Sequence, residues 1–128
     1  MASLLWSATL KPEFSSFAEL GEQLELAIDN MRHSMNATLA CDEAFTNVVM
    51  YSGATAVEVE IAKEGDLLIV RIADDGTPFD PVSAKPIERA FEDLDKGGMG
   101  IKLIKKICES VDYAYVDGKN VLTLRLPC

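Results

Sequence analysis

Two apolar runs near the centre of the chain constrain the fold more than any other feature of the sequence. The runs are "AVEVEIA", residues 56–62, and "LLIVRIA", residues 67–73, and both are rich in the β-branched residues that favour strands. The segment "KEGD" that separates them is typical of a tight turn, because glycine accepts the backbone angles that such turns need. The two runs are therefore predicted to form an antiparallel hairpin.

Helical and strand-like patterns lie on both sides of this hairpin. Ser16 and Glu19 have the spacing of a capping box and are predicted to begin a first helix. The glycines of "GGMG", residues 97–100, are predicted to open a third helix with one apolar face. In chain order, the predicted elements are a strand over 4–10, a helix to about residue 32, a helix over 36–51, the central hairpin, a mobile loop with one short helix over 82–96, the third helix, and a closing hairpin with its turn at 117–120.

This order of elements predicts an α/β fold of the two-layer α+β sandwich type. Helices are expected on one face of a mostly antiparallel sheet, because each amphipathic helix must bury its apolar stripe against another layer. The 128 residues suffice for a hydrophobic core and fit a single domain over residues 1–128.

Composition restricts the classes of function and the compartment. The net charge of -9 excludes a protein whose main task is to coat nucleic acid, because no basic stripe offsets the repulsion from phosphates. The same charge favours a partner with a basic surface. The three cysteines lack metal-binding spacing, which indicates a reducing cytoplasm. Since the N-terminal residues have no basic segment and no long apolar stretch, we expect neither a signal peptide nor contact with a membrane.

The first stretch that could carry chemistry is "DEAFTNVVMY", residues 42–51. Glu43 and Asn47 lie one helical turn apart, within a narrow sector of the predicted helix. An amide oxygen beside a carboxylate suits Mg²⁺, and the carboxylate could orient an attacking hydroxyl or accept its proton. The spacing alone favours a simpler interpretation, an amphipathic helix with a hydrogen bond between the two side chains.

The second stretch, "ADDGTPFDP", follows the second strand of the central hairpin. Asp74, at the end of that strand, could accept a hydrogen bond from an exocyclic amine. The missing side chain of Gly76 would leave room for a flat ring, or would permit a close approach of the backbone. The alternative is a capped tight turn, because Asp, Gly and Pro are common turn residues.

The third stretch, "KGGMGIKLIKK", places Gly97, Gly98 and Gly100 directly before an amphipathic helix. Backbone N–H groups and the positive helix end then point to one place, which is typical of a phosphate-binding site. The stretch is not a Walker A loop, because no Lys-Ser/Thr pair follows the last glycine. A flexible hinge before a helix is the alternative interpretation.

Together and in this order, the three stretches resemble the ATP-binding boxes of the GHKL superfamily, which includes gyrase, a heat-shock chaperone, histidine kinases and MutL. The Bergerat ATP-binding fold of that superfamily is a two-layer sandwich of the predicted kind. Within the superfamily, "DEAFTN", "DDGTPFDP" and "GGMGIKLIKK" look most like the bacterial anti-sigma-factor serine/threonine kinases. The resemblance extends from the first helix to the closing hairpin.

Carried over to this chain, the resemblance implies ATP and Mg²⁺ as cofactors and assigns a role to each matching residue. Glu43 would be the general base toward a substrate serine, and Asn47 would be the Mg²⁺ ligand. Asp74 would accept a hydrogen bond from adenine, and Gly76 would let the base approach. The remaining implied contacts are Gly98 and Gly100 to the phosphates, and Thr123 in "VLTLRL" to adenine beside the Asp.

The function implied by the resemblance is that of an ATP-dependent serine/threonine kinase that regulates transcription. Its substrate would be an anti-sigma antagonist protein, and a sigma factor would be the partner that it sequesters. A homodimer is expected from the same resemblance. The alternative is a nucleotide-binding regulatory module that sequesters a protein partner without efficient phosphotransfer.

Overall fold

The computed structural model describes residues 2–78, 80 and 99–128, which form an antiparallel sheet and three α-helices. A 3₁₀ turn at Phe14–Ser16 precedes the first helix, and a π-helical turn at Val48–Ser52 follows the second. The strands are β1 (Ser3–Leu10), β2 (Val57–Glu64), β3 (Leu67–Asp74), β4 (Ser110–Val116) and β5 (Lys119–Pro127), and the helices are α1 (Phe17–Ala27), α2 (Met31–Asn47) and α3 (Met99–Ile107).

The five strands lie in the order β1-β2-β3-β5-β4, and every neighbouring pair is antiparallel. The β2–β3 turn contains Gly65 at a φ of 60°, and the β4–β5 turn contains Asp117 and Gly118 at φ values of 52° and 77°. Two consecutive residues with positive φ are typical of the tight turns that match the twist of a hairpin. The predicted central and closing hairpins and the predicted two-layer fold are thus confirmed.

The core lies between one face of the sheet and the helices. Alternate residues of β2 and β3 are buried, because successive side chains of a strand point to opposite faces. The buried side of α2 is built largely from small residues, which let the helix backbone lie close to its neighbours. The buried apolar residues between the sheet and the helices include Val57, Val59, Ile61, Leu68, Val70 and Ile72 from the sheet, and Leu20, Leu24, Ala37, Ala40, Cys41, Ala44, Phe45, Ile101 and Ile104 from the helices.

The boundary between the first two helices differs from the prediction. α1 ends at Ala27 rather than near residue 32, and Ile28 is extended with φ -123° and ψ 115°. α2 begins at Met31 rather than at residue 36, because Asn30 Oδ1 accepts a hydrogen bond from the backbone N–H of His33 at 3.0 Å. This cap satisfies one of the free N–H groups of the first turn and so begins the helix earlier.

The predicted capping box at Ser16 and Glu19 is also wrong. Ser16 has helical angles, φ -68° and ψ -21°, and its side chain makes no capping hydrogen bond. A capping residue needs an extended backbone to turn its oxygen back toward the helix. The 3₁₀ turn at Phe14–Ser16 leads directly into α1, so Ser16 is already part of the helical path.

Two further predictions concern the loop between the two hairpins and contact with a membrane. The predicted loop over residues 82–96, together with Gly97 and Gly98, lies outside the described residues. Among the helices that the structure does describe, none is long and apolar enough to cross a membrane.

Candidate functional site

A pocket lies where the end of α2, the end of β3 and the closing hairpin meet. It contains about 400 Å³ of empty space including its open mouth. Asn47 and Asp74, which belong to different predicted motifs, both line it. The other lining residues are Ala44, Val48, Ser52, Ile72, Tyr113, Asn120 and Leu122. The pocket therefore has apolar walls and a few polar groups, which is the usual composition of a small-molecule site.

Asp74 is the main acceptor in the pocket. It is the last residue of β3 and is buried. Its Oδ1 accepts hydrogen bonds from the backbone N–H of Gly76 at 2.9 Å and from Asn120 Nδ2 at 3.0 Å. Its Oδ2 has no hydrogen bond to any residue in the described ranges. The carboxylate is therefore oriented through one oxygen, while the other can accept a hydrogen bond from a ligand.

Asn120 holds this arrangement from the neighbouring strand. It lies directly opposite Asp74 in the β3–β5 register and is buried. Its Nδ2 also donates to the backbone oxygen of Thr77 at 2.9 Å, and its Oδ1 accepts from the hydroxyl of Tyr113. Because both ends of the amide are engaged, its donor end is fixed toward Asp74. In the sequence Asn120 belongs only to the predicted turn at 117–120, and the strand register alone identifies it as a partner of Asp74.

Thr123 is not brought to the pocket. It lies opposite Arg71 and Asp112, whereas the pocket residue Leu122 lies opposite Ile72 and Tyr113. Because neighbouring residues of a strand point to opposite faces of the sheet, the side chain of Thr123 is directed away from the helices. The assignment of Thr123 to adenine is therefore corrected, and Asn120 takes the place beside Asp74.

Gly76 is required by packing against the end of α2, and its role in leaving space for a ring stays a prediction. A Cβ at this position would lie 2.3 Å from the backbone oxygen of Ser52 and 2.7 Å from its Cβ. The backbone N–H of Thr77 donates to the same oxygen at 2.8 Å. The loop after β3 is thus held against the π-helical turn that ends α2. The predicted close approach of the backbone at Gly76 is present, but its partner is Ser52.

Asp75 fastens the same loop on its outer side. Its Oδ1 accepts from the backbone N–H groups of Thr55 at 2.7 Å and Ala56 at 3.2 Å, and its Oδ2 accepts from the hydroxyl of Thr55. These hydrogen bonds, chiefly the one from the Thr55 side chain, lower the pKa of Asp75 to about 2. Two adjacent aspartates therefore have separate tasks, since Asp74 faces the pocket and Asp75 fixes the loop before β2.

Glu43 and Asn47 lie on α2 as predicted, one turn apart. Asn47 is buried and lines the pocket, whereas Glu43 is half-buried and is not one of the lining residues. Within the described residues, no group of three or more His, Cys, Asp or Glu side chains could hold a metal ion. The side-chain amide oxygen of Asn47 is of the ligand type that Mg²⁺ accepts, and the binding of Mg²⁺ there stays a prediction.

Gly100 lies in the first turn of α3, and Gly98 lies outside the described residues. Ile101 and Ile104 are buried, so α3 is anchored beside α2. The binding of phosphate by Gly98 and Gly100 stays a prediction.

The fold and the sequence together define the class of protein. The chain matches the histidine kinase-like ATPase domain family over residues 14–126, and it belongs to that family. The predicted relationship to the GHKL superfamily is thereby confirmed.

The chain is also similar to a named protein. It is 31% identical over 93 residues to the serine/threonine-protein kinase BtrW of Bordetella bronchiseptica. The aligned region covers 68% of this chain and 66% of that protein, just under two thirds of its length.

Two solved structures share the fold. A chain of the SiaB-SiaC complex from Pseudomonas aeruginosa aligns with a TM-score of 0.69 at 16% identity, over 98% of this chain and 89% of the other. The histidine kinase AdeS of Acinetobacter baumannii aligns with a TM-score of 0.54 at 15% identity, over 96% of this chain and 68% of the other. At these identities the structural likeness shows the fold alone.

Proposed function

We propose that the protein is an ATP-dependent serine/threonine kinase of the anti-sigma-factor type. The observation that carries this proposal is that Asn47 and Asp74, from two separate motifs, line one pocket in a chain of an ATPase domain family. The similarity to a protein named as a serine/threonine kinase supports the choice of reaction.

Asp74 would recognise the adenine base. Its Oδ2 is an acceptor within an apolar pocket, and the exocyclic amine of adenine is a donor. Guanine presents a carbonyl oxygen at the corresponding position, which would face the carboxylate acceptor to acceptor. Since an unpaired buried polar group costs about 1–3 kcal/mol, the pocket should prefer adenine.

The triphosphate would extend from this pocket along the end of α2. The amide oxygen of Asn47 would hold Mg²⁺, which when bound offsets the negative charge of the phosphates. The backbone N–H groups at Gly98 and Gly100 would bind the phosphates at the start of α3.

Glu43 would act as the general base one turn before Asn47. The serine hydroxyl of the substrate would attack the γ-phosphorus, its proton would pass to the Glu43 carboxylate, and ADP would leave with the electron pair of the broken P–O bond. Positioning and electrostatics would supply most of the rate, as in other phosphoryl transfers.

The proposed substrate is an anti-sigma antagonist protein, and the proposed second partner is a sigma factor. A cytoplasmic location and a homodimer belong to the same proposal, and neither nucleic acid nor a membrane is a partner in it. The net charge of -9 favours protein partners with basic surfaces.

Incubation with γ-labelled ATP, Mg²⁺ and candidate antagonist proteins tests the reaction. We expect label on a serine or threonine of one candidate. Glu43→Gln should abolish transfer while nucleotide still binds, since the amide cannot accept the proton. Glu109→Gln, an exposed change that leaves the pocket intact, is the matched control.

Titration with a fluorescent ATP analogue tests the pocket separately. Asp74→Asn should weaken binding about tenfold or more, because about 1.4 kcal/mol corresponds to one decade and the amide replaces an acceptor by a donor. Asp66→Asn, in the exposed β2–β3 turn, should leave affinity unchanged. Tight nucleotide binding without label on any candidate would favour the alternative, a regulatory module that binds nucleotide and sequesters a partner. Equal affinity of the Asp74→Asn variant would contradict the adenine assignment.

A further inference from the structure

The outer side of α2 carries a row of exposed apolar side chains that the proposed chemistry does not use. Met31, Met35 and Leu39 follow each other at intervals of four residues, so they lie along one side of the helix. Their exposed fractions are 77%, 66% and 43%. The predicted first helix, which ran to about residue 32, included Met31, whereas the structure places Met31 in this row on α2.

A groove runs beside this row, between α1 and α2, and contains about 770 Å³ of empty space when the open solvent at its mouth is included. Met35 and Leu39 are its apolar lining residues, called its floor here, and Glu25 and Asp42 are its acidic lining residues, called its acidic edge; the remaining lining residues are Ser34, Asn36 and Thr38. None of the described residues that line the groove is a lysine or an arginine. An apolar floor with acidic edges is therefore the character of this surface, which we call the α2 groove.

We propose that the α2 groove docks an amphipathic helix of a protein partner, apolar on one side and flanked by lysine or arginine. The apolar floor fits the mode in which a helix lays its apolar face into a groove. Glu25 and Asp42 add charge complementarity to a basic segment, and the net charge of -9 steers such a segment toward the protein. Methionine side chains adapt their shape readily and are frequent at surfaces of this kind.

The acidic edge argues against two other occupants. A second copy of the chain would bring its own Glu25 and Asp42 against the same residues, because a two-fold contact joins identical surfaces. An anionic membrane would be repelled by the same carboxylates. A basic protein segment is the occupant that satisfies both the apolar floor and the charge.

The position of the groove connects it to the proposed chemistry. Leu39 precedes Glu43 by one helical turn, a rise of about 6 Å. A partner held on the α2 groove is thus anchored close to the proposed general base. The inference rests on the proposed function in one respect, which is that this partner would be the protein that is phosphorylated. Docking itself needs no nucleotide and can therefore be tested separately.

Fluorescence anisotropy with a labelled synthetic peptide tests the docking. The probe is a helical peptide with leucines on one face and lysines on the other, used without nucleotide. We expect it to bind, and we expect variants of the peptide with serine in place of leucine, or glutamate in place of lysine, to bind at least about tenfold more weakly. In the complex, the methyl signals of Met31 and Met35 should shift in spectra of methyl-labelled protein.

Two pairs of substitutions locate the site. Met35→Gln with Leu39→Gln removes the apolar floor, and Glu25→Gln with Asp42→Asn removes the acidic edge. Each pair should weaken the peptide about tenfold or more, and because these side chains are exposed the fold should remain intact by thermal unfolding. Leu4→Gln, which changes an exposed leucine of β1, should have no effect. Unchanged affinity in either pair, or equal binding of the serine or glutamate peptides, would overturn the proposal.

The same variants separate the other occupants and the proposed function. A dimer, or binding to anionic vesicles, that is lost in Met35→Gln with Leu39→Gln would show that a second copy or a membrane covers the groove, and either result overturns the proposal. Peptide binding without phosphotransfer would leave the docking site standing and remove the kinase. If the protein catalyses phosphotransfer and the KM for the protein substrate is unchanged in Met35→Gln with Leu39→Gln, the kinase stands and the docking site is removed.

Discussion

At the scale of single residues, the pocket depends on how one carboxylate is shared. Asp74 uses Oδ1 for two internal donors, the backbone N–H of Gly76 and the amide of Asn120, and keeps Oδ2 for the pocket. The amide of Asn120 cannot turn over without losing both its hydroxyl donor, Tyr113, and its carbonyl acceptor, Thr77. Asn120 is thus a positioning residue for Asp74, and its effect should be visible in nucleotide binding.

Substitution of Asn120 should test this role. Asn120→Asp keeps the shape but replaces the donor by a second carboxyl beside Asp74. The new carboxylate cannot donate to Asp74 as the amide does, and two carboxylates at this distance repel each other. We therefore expect the dissociation constant for an ATP analogue to rise about tenfold or more at pH 8.

The control for this prediction is Asn30→Asp. Asn30 caps α2 from an exposed position, and Asp caps helices about as well as Asn. Its nucleotide affinity should equal that of the unmodified protein at pH 8. An Asn120→Asp protein that binds with the same affinity at pH 8 as the unmodified chain would remove the positioning role.

At the scale of elements, the end of α2 and the loop after β3 form one unit. The helix ends in a π-helical turn, and Ser52 of that turn approaches Gly76 so closely that no Cβ fits between them. The hydroxyl of Ser52 donates to the carbonyl of Val48 at 2.8 Å and accepts from the backbone N–H of Ala54 at 3.1 Å. These hydrogen bonds fix the π-helical turn, and the contact of that turn with Gly76 fixes the loop that follows Asp74.

Gly76→Ala should disturb this unit. The new Cβ would lie 2.3 Å from the Ser52 oxygen, and because that atom belongs to the backbone the loop must move away. We expect a loss of about 1–3 kcal/mol in the free energy of unfolding, the usual cost of overpacking, together with weaker nucleotide binding. Urea denaturation and the ATP-analogue titration measure the two effects.

Gly21→Ala provides the matched comparison. A Cβ at Gly21, inside α1, would meet only the ring of Phe17, at 3.4 Å. This change should leave stability equal or raise it by up to about 1 kcal/mol, since alanine is the better helix former. Equal stability of Gly76→Ala and Gly21→Ala would show that the contact with Ser52 is unimportant.

The hydrogen bonds that Thr55 and Ala56 donate to Asp75, called the clamp here, predict how stability changes in acid. The pKa of Asp75 is about 2 in the folded chain, below its ordinary value of 3.8. The clamp therefore contributes stability that is fully present above the unfolded pKa and is lost as the pH falls from about 4 to about 2. The free energy of unfolding of Asp75→Asn should fall less steeply over this window than that of the unmodified protein.

Urea denaturation at several pH values checks this difference. Asp66→Asn in the exposed β2–β3 turn should show the same slope as the unmodified chain. Parallel curves for Asp75→Asn and the unmodified protein between pH 4 and pH 2 would contradict the clamp.

At the scale of the whole molecule, the two faces of the sheet have different tasks. The helices cover one face, and both the pocket and the α2 groove lie on that side. The other face carries exposed ion pairs, such as Arg71 with Glu60 at 3.5 Å and Arg125 with Asp112 at 2.9 Å. Exposed pairs of this kind contribute little to stability, about 0–1 kcal/mol each.

The separation of core and surface also predicts which cysteines react. Cys41 and Cys108 are buried between the helices and the sheet. Burial raises the pKa of both thiols, that of Cys108 to about 12, so the reactive thiolate form is suppressed. Cys128 is partly exposed. A disulfide reagent should therefore modify Cys128 alone in the folded protein and all three thiols in urea.

Cys128→Ser isolates the two buried thiols. This variant should take up no label until it unfolds, and its rate of labelling should follow the rate of unfolding. Rapid modification of the folded Cys128→Ser protein would show that the layer between helices and sheet opens far more easily than its packing indicates.

The sequence alone was enough to predict the hairpins and the two-layer fold, because apolar periodicity and turn residues are local information. The expectation that Asn47 and Asp74 belong to one site came from the resemblance to the GHKL superfamily, and both residues line one pocket. The tertiary structure decided the rest. Asn120 donates a hydrogen bond to Asp74, 46 residues away in the chain, and Ser52 fills the space beside Gly76. The side chain of Thr123 lies on the opposite face of the sheet and points away from the pocket. A shift of one residue in strand register reverses which side chains face the helices, and register depends on packing between segments distant in the chain.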